Sequence, residues 1–336
     1  MNFLETIVWN ADQRRVRCLW RILLQTLLFI ISLLLFSAVF LATFFLDWID
    51  DTIVMAGVGV VSLLATFLSM AVAGKFLDRR PWADFGFHFD AAWWRDLGFG
   101  MALGALLMAG IFAVEYAAGW ITITDTLRTP PGAGGFVPYL LLQIVLFLCV
   151  GIYEEALFRG YYTLNLAEGL HTPLQKPRLA LLLAWIATSL VFGLAHAGNP
   201  NATAISTLNI ALAGILLGLG YVLTGELAIP IGLHITWNFF QGNVFGFPVS
   251  GMSTGVTFID IQQGGPTLWT GGAFGPEAGL IGLAAMALGI ALTLVWIRGC
   301  YGRIAWATDL ARYDAPVRAE APPALLDNSA LDNSAT

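Results

Sequence analysis

Leu27-Leu28-Phe29-Ile30-Ile31-Ser32-Leu33-Leu34-Leu35-Phe36-Ser37-Ala38-Val39-Phe40-Leu41 lies inside an apolar run from about Leu19 to Leu46 whose single charge is Arg21. About 20 such residues cross the ~30 Å hydrocarbon layer of a bilayer. The run is too long for the core of a secretory signal, so no cleavable signal peptide is expected. It reads as a first transmembrane helix behind a basic flank, Arg14, Arg15, Arg17 and Arg21.

Stretches long enough to cross fall near 20–46, 52–74, 97–120, 136–167, 179–198, 203–223, 227–246 and 278–298. The fold class expected is therefore all-α, a polytopic transmembrane helix bundle of about eight helices. The whole chain agrees. Of its 336 residues 58% are hydrophobic and 11% charged, against roughly 25% charged in soluble domains, and the mean hydropathy is +0.76. A net charge of −6, part of it in the C-terminal tail, argues neither for nor against a charged partner. No basic face or aromatic-basic interleaving exists, which excludes nucleic acid. Cys18, Cys149 and Cys300 form no CxxC pair or metal-ligand spacing and read as free thiols.

Basic residues alternate with the spans, as orientation in a membrane requires. With the N-terminus cytoplasmic, inside segments carry Arg14–Arg21, Lys75, Arg79, Arg80, Arg95, Arg159, Lys176, Arg178, Arg298, Arg303, Arg312 and Arg318; Arg128 alone falls outside. An even number of spans with both termini cytoplasmic follows. The expected organisation is a cytoplasmic segment 1–19, N-terminal transmembrane helices over 20–135, a second helical group over 136–246, a Gly-, Thr- and Pro-rich external loop 247–277, a last transmembrane helix 278–298, and a cytoplasmic tail 299–336. The tail reads as disordered from about 314; there Leu326-Asp327-Asn328-Ser329-Ala330 recurs at 331–335.

Ionisable groups inside spans are costly and mark sites. They cluster in three helices. The fourth carries Tyr153-Glu154-Glu155-Ala156-Leu157-Phe158-Arg159. Glu155 and Arg159 are i,i+4 neighbours with the acid N-terminal, the favourable order. Glu154 is turned about 100° away and meets Phe158 instead, so its partners must come from other helices. Two adjacent acids in different surroundings suit two roles, Glu155 structural and Glu154 chemical. The fifth helix ends with Phe192 and His196 one turn apart, and the seventh carries His234 and Asn238 at i,i+4. Each stretch alone has an ordinary explanation: an interfacial helix end, a packed histidine, an interhelical hydrogen bond. Together, two carboxylates, two imidazoles, an amide and a guanidinium suffice for water activation and oxyanion stabilisation. Helix rise puts Glu154 about 20 Å and His196 about 26 Å from the cytoplasmic ends of their helices, but His234 only about 10 Å.

In these residues the sequence resembles the CAAX protease and bacteriocin-processing family (CPBP, also called Abi), which includes the type II CAAX prenyl endopeptidases. The motifs EExxxR, FxxxH and HxxxN/D occur in order as Glu154-Glu155-…-Arg159, Phe192-…-His196 and His234-…-Asn238, within 136–246. The resemblance implies an intramembrane endopeptidase, a hydrolase of membrane-anchored or hydrophobic peptides. It implies Glu154 as general base helped by His196, His234 and Asn238 as oxyanion donors, and Glu155, Arg159 and Phe192 as orienting residues. The cofactor stays open: Glu154, His196 and His234 could hold a divalent metal such as zinc, but no HExxH helix is present, and a metal-free glutamate-type mechanism uses the same groups. The place expected is the bacterial cell membrane, in contact with lipid. The alternatives are a non-catalytic scaffold or immunity protein of the same fold, and a proton-coupled transporter, whose usual inverted repeats are not evident.

Overall fold

The computed structural model describes residues 7–11, 13–43, 51–130, 134–172 and 176–313. The disorder expected from about 314 and the duplicated pentapeptide fall outside them. Each long apolar run becomes a helix because a backbone facing lipid must satisfy its own N–H and C=O groups. The helices are α1 (Cys18–Thr43), α2 (Asp51–Ala73, prolonged by a π turn, Gly74–Asp78), α3 (Ala91–Ala117), α4 (Phe136–Leu170), α5 (Pro177–Ala195), α6 (Ala204–Thr224), α7 (Ala228–Phe239, prolonged by a π turn, Phe240–Val244) and α8 (Leu280–Tyr301). Local signals set their ends. The Asp90 carboxylate accepts the Trp93 N–H at 2.7 Å to start α3. Thr203 and Ser206 form a reciprocal capping box at the start of α6, and Gly225, at φ +78°, stops it.

Seven of these helices are long and apolar enough to cross a membrane. The chain is an integral, multi-pass membrane protein. The eighth expected span, 227–246, is different: α7 has 12 residues, and every side chain from Ala228 to Trp237 is buried in protein. It is apolar because it is the core of the bundle. At the other extreme, α1 packs on α2 and on the last turns of α4 and presents Leu34, Leu35 and Val39, each more than 60% exposed, to the lipid side.

The α3–α7 contact is the most extensive between helices and depends on missing side chains. A Cβ on Gly100 or Gly104 of α3 would be driven into the α7 backbone, and one on Gly232 into that of α3. Small residues permit such approach of helix backbones in membranes.

At one end of the bundle the start of the chain meets its last described residues. Arg15 and Arg21 reach the Glu168 carboxylate at 2.7 and 3.0 Å, and Arg80 bonds its other oxygen. Asp78 lies 3.6 Å from Arg21 and accepts the Tyr161 hydroxyl at 2.7 Å. The Arg15 guanidinium stacks 3.3 Å above the Tyr313 ring. Arg159, counted above with the cytoplasmic charges, is instead inside the bundle, 3% exposed.

At the opposite end the stretches expected as loops contain an antiparallel ribbon. With β1 (Trp9–Asn10) and β2 (Arg15–Val16) forming a minimal pair near the start, β3 (Ile121–Arg128) and β4 (Thr257–Gln263) run from Ile121 opposite Gln263 to Arg128 opposite Thr257. The Arg128 guanidinium donates to Asp260 at 2.7 Å across the strands. Apolar Ile alternates with polar Thr over Ile121-Thr122-Ile123-Thr124, and all four are β-branched, which suits a strand.

Candidate active site

Halfway along α4 the hydrogen bonding widens: Ala156–Thr163 is π-helical, a local form that recurs at functional sites. Glu154 and Glu155 close the α-helical part just before it. Glu155 is fully buried and accepts from Arg159 at 2.9 Å. The same Oε1 lies 2.7 Å from Nδ1 of His234 on α7. Arg159 also donates to the Gly214 carbonyl of α6 at 3.2 Å and lies 4.4 Å over the Phe192 ring. Phe192 in turn packs edge-on to His234 and tilted against His196, with centroids 6.1 and 4.7 Å apart. A charged pair thus sits at the centre of α4, α5, α6 and α7.

Glu154 points elsewhere, as its angular offset from Glu155 requires. Tyr153 donates to its Oε1 at 3.0 Å, while Oε2 is buried without a hydrogen-bond partner. That free oxygen lies 4.0 Å from Nε2 of His196 and 3.9 Å from Nε2 of His234. Both separations exceed a direct hydrogen bond and suit one shared water. The ring orientations agree. Nδ1 of His196 is 2.8 Å from the Phe192 carbonyl, which can only accept, so Nδ1 carries the proton and Nε2 turns its lone pair to Glu154. His234 is held likewise, its Nδ1 on the Glu155 carboxylate. Asn238, one turn beyond His234, lines the same cavity.

The six motif side chains and Phe192 therefore meet in one place. His234 meets Glu154 and His196 despite the shallower depth that helix rise gave it. The start of α7 is covered by protein: Leu227 is fully buried and its N–H is bonded to Gly86 O at 3.0 Å.

The cavity measures about 560 Å³ and has mostly apolar walls, among them Phe29 and Leu33 of α1, Met55 and Val58 of α2, and Ile210 and Ala213 of α6. Its polar rim adds residues that spacing had not singled out: Tyr153, Asn199, Ser250, Thr254 and Glu277. Tyr153 adjoins the paired acids and Asn199 the His196 turn, a proximity visible in sequence. Ser250, Thr254 and Glu277 lie in the stretch read as an external loop, and only tertiary folding brings them here. Burial raises the Glu277 carboxyl to about 7, against hydrogen bonds from Ser250 and Gln241 that favour its ionised form.

Glu154, His196 and His234 do not fit a metal as they stand. Tetrahedral zinc with bonds near 2.0–2.2 Å spaces its ligands about 3.4 Å apart, closer than the separations above. Among the described residues no group of three His, Cys, Asp or Glu side chains has metal-holding geometry. Cys18, Cys149 and Cys300 are free.

Residues 136–240 match the family described as type II CAAX prenyl endopeptidase Rce1-like. They run from the start of α4 into the end of α7 and include all three motifs. No curated protein and no solved structure matches the chain. The chain therefore carries, across the four helices that meet at Glu154, a domain of the Rce1-like type II CAAX prenyl endopeptidase family.

Proposed function

We propose that the protein is an intramembrane endopeptidase that hydrolyses peptide bonds with a water activated by Glu154. The observation that carries this is the convergence of one unpartnered carboxylate oxygen and two imidazole nitrogens within 4.0 Å. Glu154 Oε2 takes one proton of the water and His196 Nε2 accepts the other in a hydrogen bond, which turns the oxygen lone pair toward the scissile carbonyl carbon. As the C–O bond forms, the carbonyl electrons move to oxygen. Asn238 donates to that oxyanion, and so does His234 when Nε2 carries a proton while Nδ1–H stays on Glu155. Glu154 then delivers its proton to the departing amine, and the C–N bond breaks.

Glu155 and Arg159 position this centre. The 2.9 Å Arg159–Glu155 contact holds the Glu155 side chain in place, and that side chain fixes the His234 ring at 2.7 Å. The mechanism is of the glutamate type, in which the Glu154 carboxylate itself activates the water. The apolar cavity walls within the bundle favour peptides that are hydrophobic or anchored in lipid, as a prenylated C-terminus would be. The basic end of the bundle faces the cytoplasm.

Comparison of protein N- and C-termini in membranes from wild type and Glu154→Ala cells tests the reading. New termini that appear with the wild type and vanish with Glu154→Ala, and with His196→Ala, are the expected result. Identical termini at equal expression mean a scaffold rather than a peptidase.

A further inference from the structure

His196 differs from its partners in how it is held. Glu154 and His234 lie within helices, whereas His196 follows the last residue of α5, in an irregular turn. That turn meets Pro248–Met252, which follows the π extension of α7. Asn199, whose N–H bonds the His196 carbonyl at 3.1 Å, donates its side-chain amide to Ser250 O at 3.0 Å. On the other side, Gln241, on the π extension of α7, donates to Pro248 O at 2.5 Å and to the Glu277 carboxylate. Glu277 accepts the Ser250 N–H at 2.6 Å. Both backbone groups of Ser250 are thus taken, one from each side.

Backbone conformation favours the same arrangement. Ser250 has φ +47° and Gly251 φ +86°, and a Cβ on Gly251 would be driven into the Pro200 carbonyl. Gly275, at φ +119°, leaves no room for a side chain between Pro248 O, the Glu277 carboxylate and the Gln241 amide. Gln241 and Glu277 are buried, and Glu277 lines the cavity itself.

We infer that Asn199, Gln241 and Glu277 are positioning residues, which use Pro248–Met252 as a clip between the His196 turn and the His234 helix and so set the gap in which the water sits. The inference rests on the peptidase reading for its consequence in rate, and on geometry alone for its effect on His196. A shift of the His196 turn by about 1 Å is enough to cost on the order of 10²-fold in rate.

The experiment uses the full chain in lipid nanodiscs and follows carbethoxylation of His196 and His234 by diethylpyrocarbonate, resolved by mass spectrometry. In Glu277→Ala and in Asn199→Ala, His196 is modified about fivefold faster while His234 keeps its rate, as local release of one turn requires. Glu277→Gln, which keeps an acceptor for the Ser250 N–H but turns a donor on the Gln241 amide, gives a rate between wild type and Glu277→Ala. On a quenched fluorescent peptide whose farnesylated cysteine is followed by three further residues, Glu277→Ala lowers kcat about tenfold or more with little change in KM. Wild-type reactivity of His196 in both alanine variants, or equal acceleration of His196 and His234, overturns the clip. Selective release of His196 with no wild-type cleavage of any membrane-anchored probe retains the clip and removes the peptidase.

Discussion

Glu154 and Glu155 are adjacent and chemically alike, and their surroundings give them opposite work. Glu154→Gln removes the base and little else; kcat falls by about 10²–10⁴ at an unchanged thermal midpoint. Asn238→Ala lowers kcat by about 10²–10³, also without loss of fold. Glu155→Gln is expected to fail differently, since it leaves Arg159 without its counter-charge. Breaking a buried pair from one side costs about 3–5 kcal/mol, so thermal denaturation shows a lower midpoint along with lost activity. Glu277 supplies a pH signature. Its carboxyl titrates near 7 when folded against 4.5 as a free side chain. The folded chain binds more protons between those values, so stability declines as pH rises across that window and levels off above it, by about 3 kcal/mol at most. In Glu277→Gln the decline is reduced, which denaturation midpoints measured across the window report. The motif acids and imidazoles were legible in sequence because each is polar where lipid-compatible residues surround it. The Glu155–His234 bond was not, because it joins residues on separate helices and spacing carries no information about which helices touch.

Among elements, hydropathy located the helices and misjudged what some of them face. A run of apolar residues looks the same whether lipid or protein covers it, so α7 was read as a span although the bundle encloses it. The π-helical stretch of α4 was equally hidden, since its residues are ordinary helix formers. The glycines of α3 differ in what surrounds them. Gly104 lies against the α7 backbone, whereas Gly98 has open space around it. Gly104→Leu therefore pushes α7 outward, at about 1–3 kcal/mol or more of overpacking, and takes His234 and Asn238 with it. Gly98→Leu, on the same helix, leaves the thermal midpoint and activity near wild type, so the pair separates close packing from a general intolerance of bulk.

For the whole molecule, the spacing of Glu154, His196 and His234 predicts a peptidase indifferent to metal withdrawal. Prolonged dialysis against a chelator leaves activity within about twofold of its starting value, in contrast to zinc enzymes, which need their ion as Lewis acid. Loss of activity restored by added zinc contradicts that. The charge centre at the other end of the bundle ties molecular architecture to synthesis. Arg15 and Arg21 enter the membrane environment with the first helix, Glu168 follows only after α4, and the aromatic lid over Arg15 is Tyr313. While the chain is being made, the early arginines must stay at the aqueous boundary, hydrated or bound to lipid headgroups, until the fourth helix brings their carboxylate. Final closure waits for Tyr313, so the Arg15 guanidinium is capped only after α8 has been made.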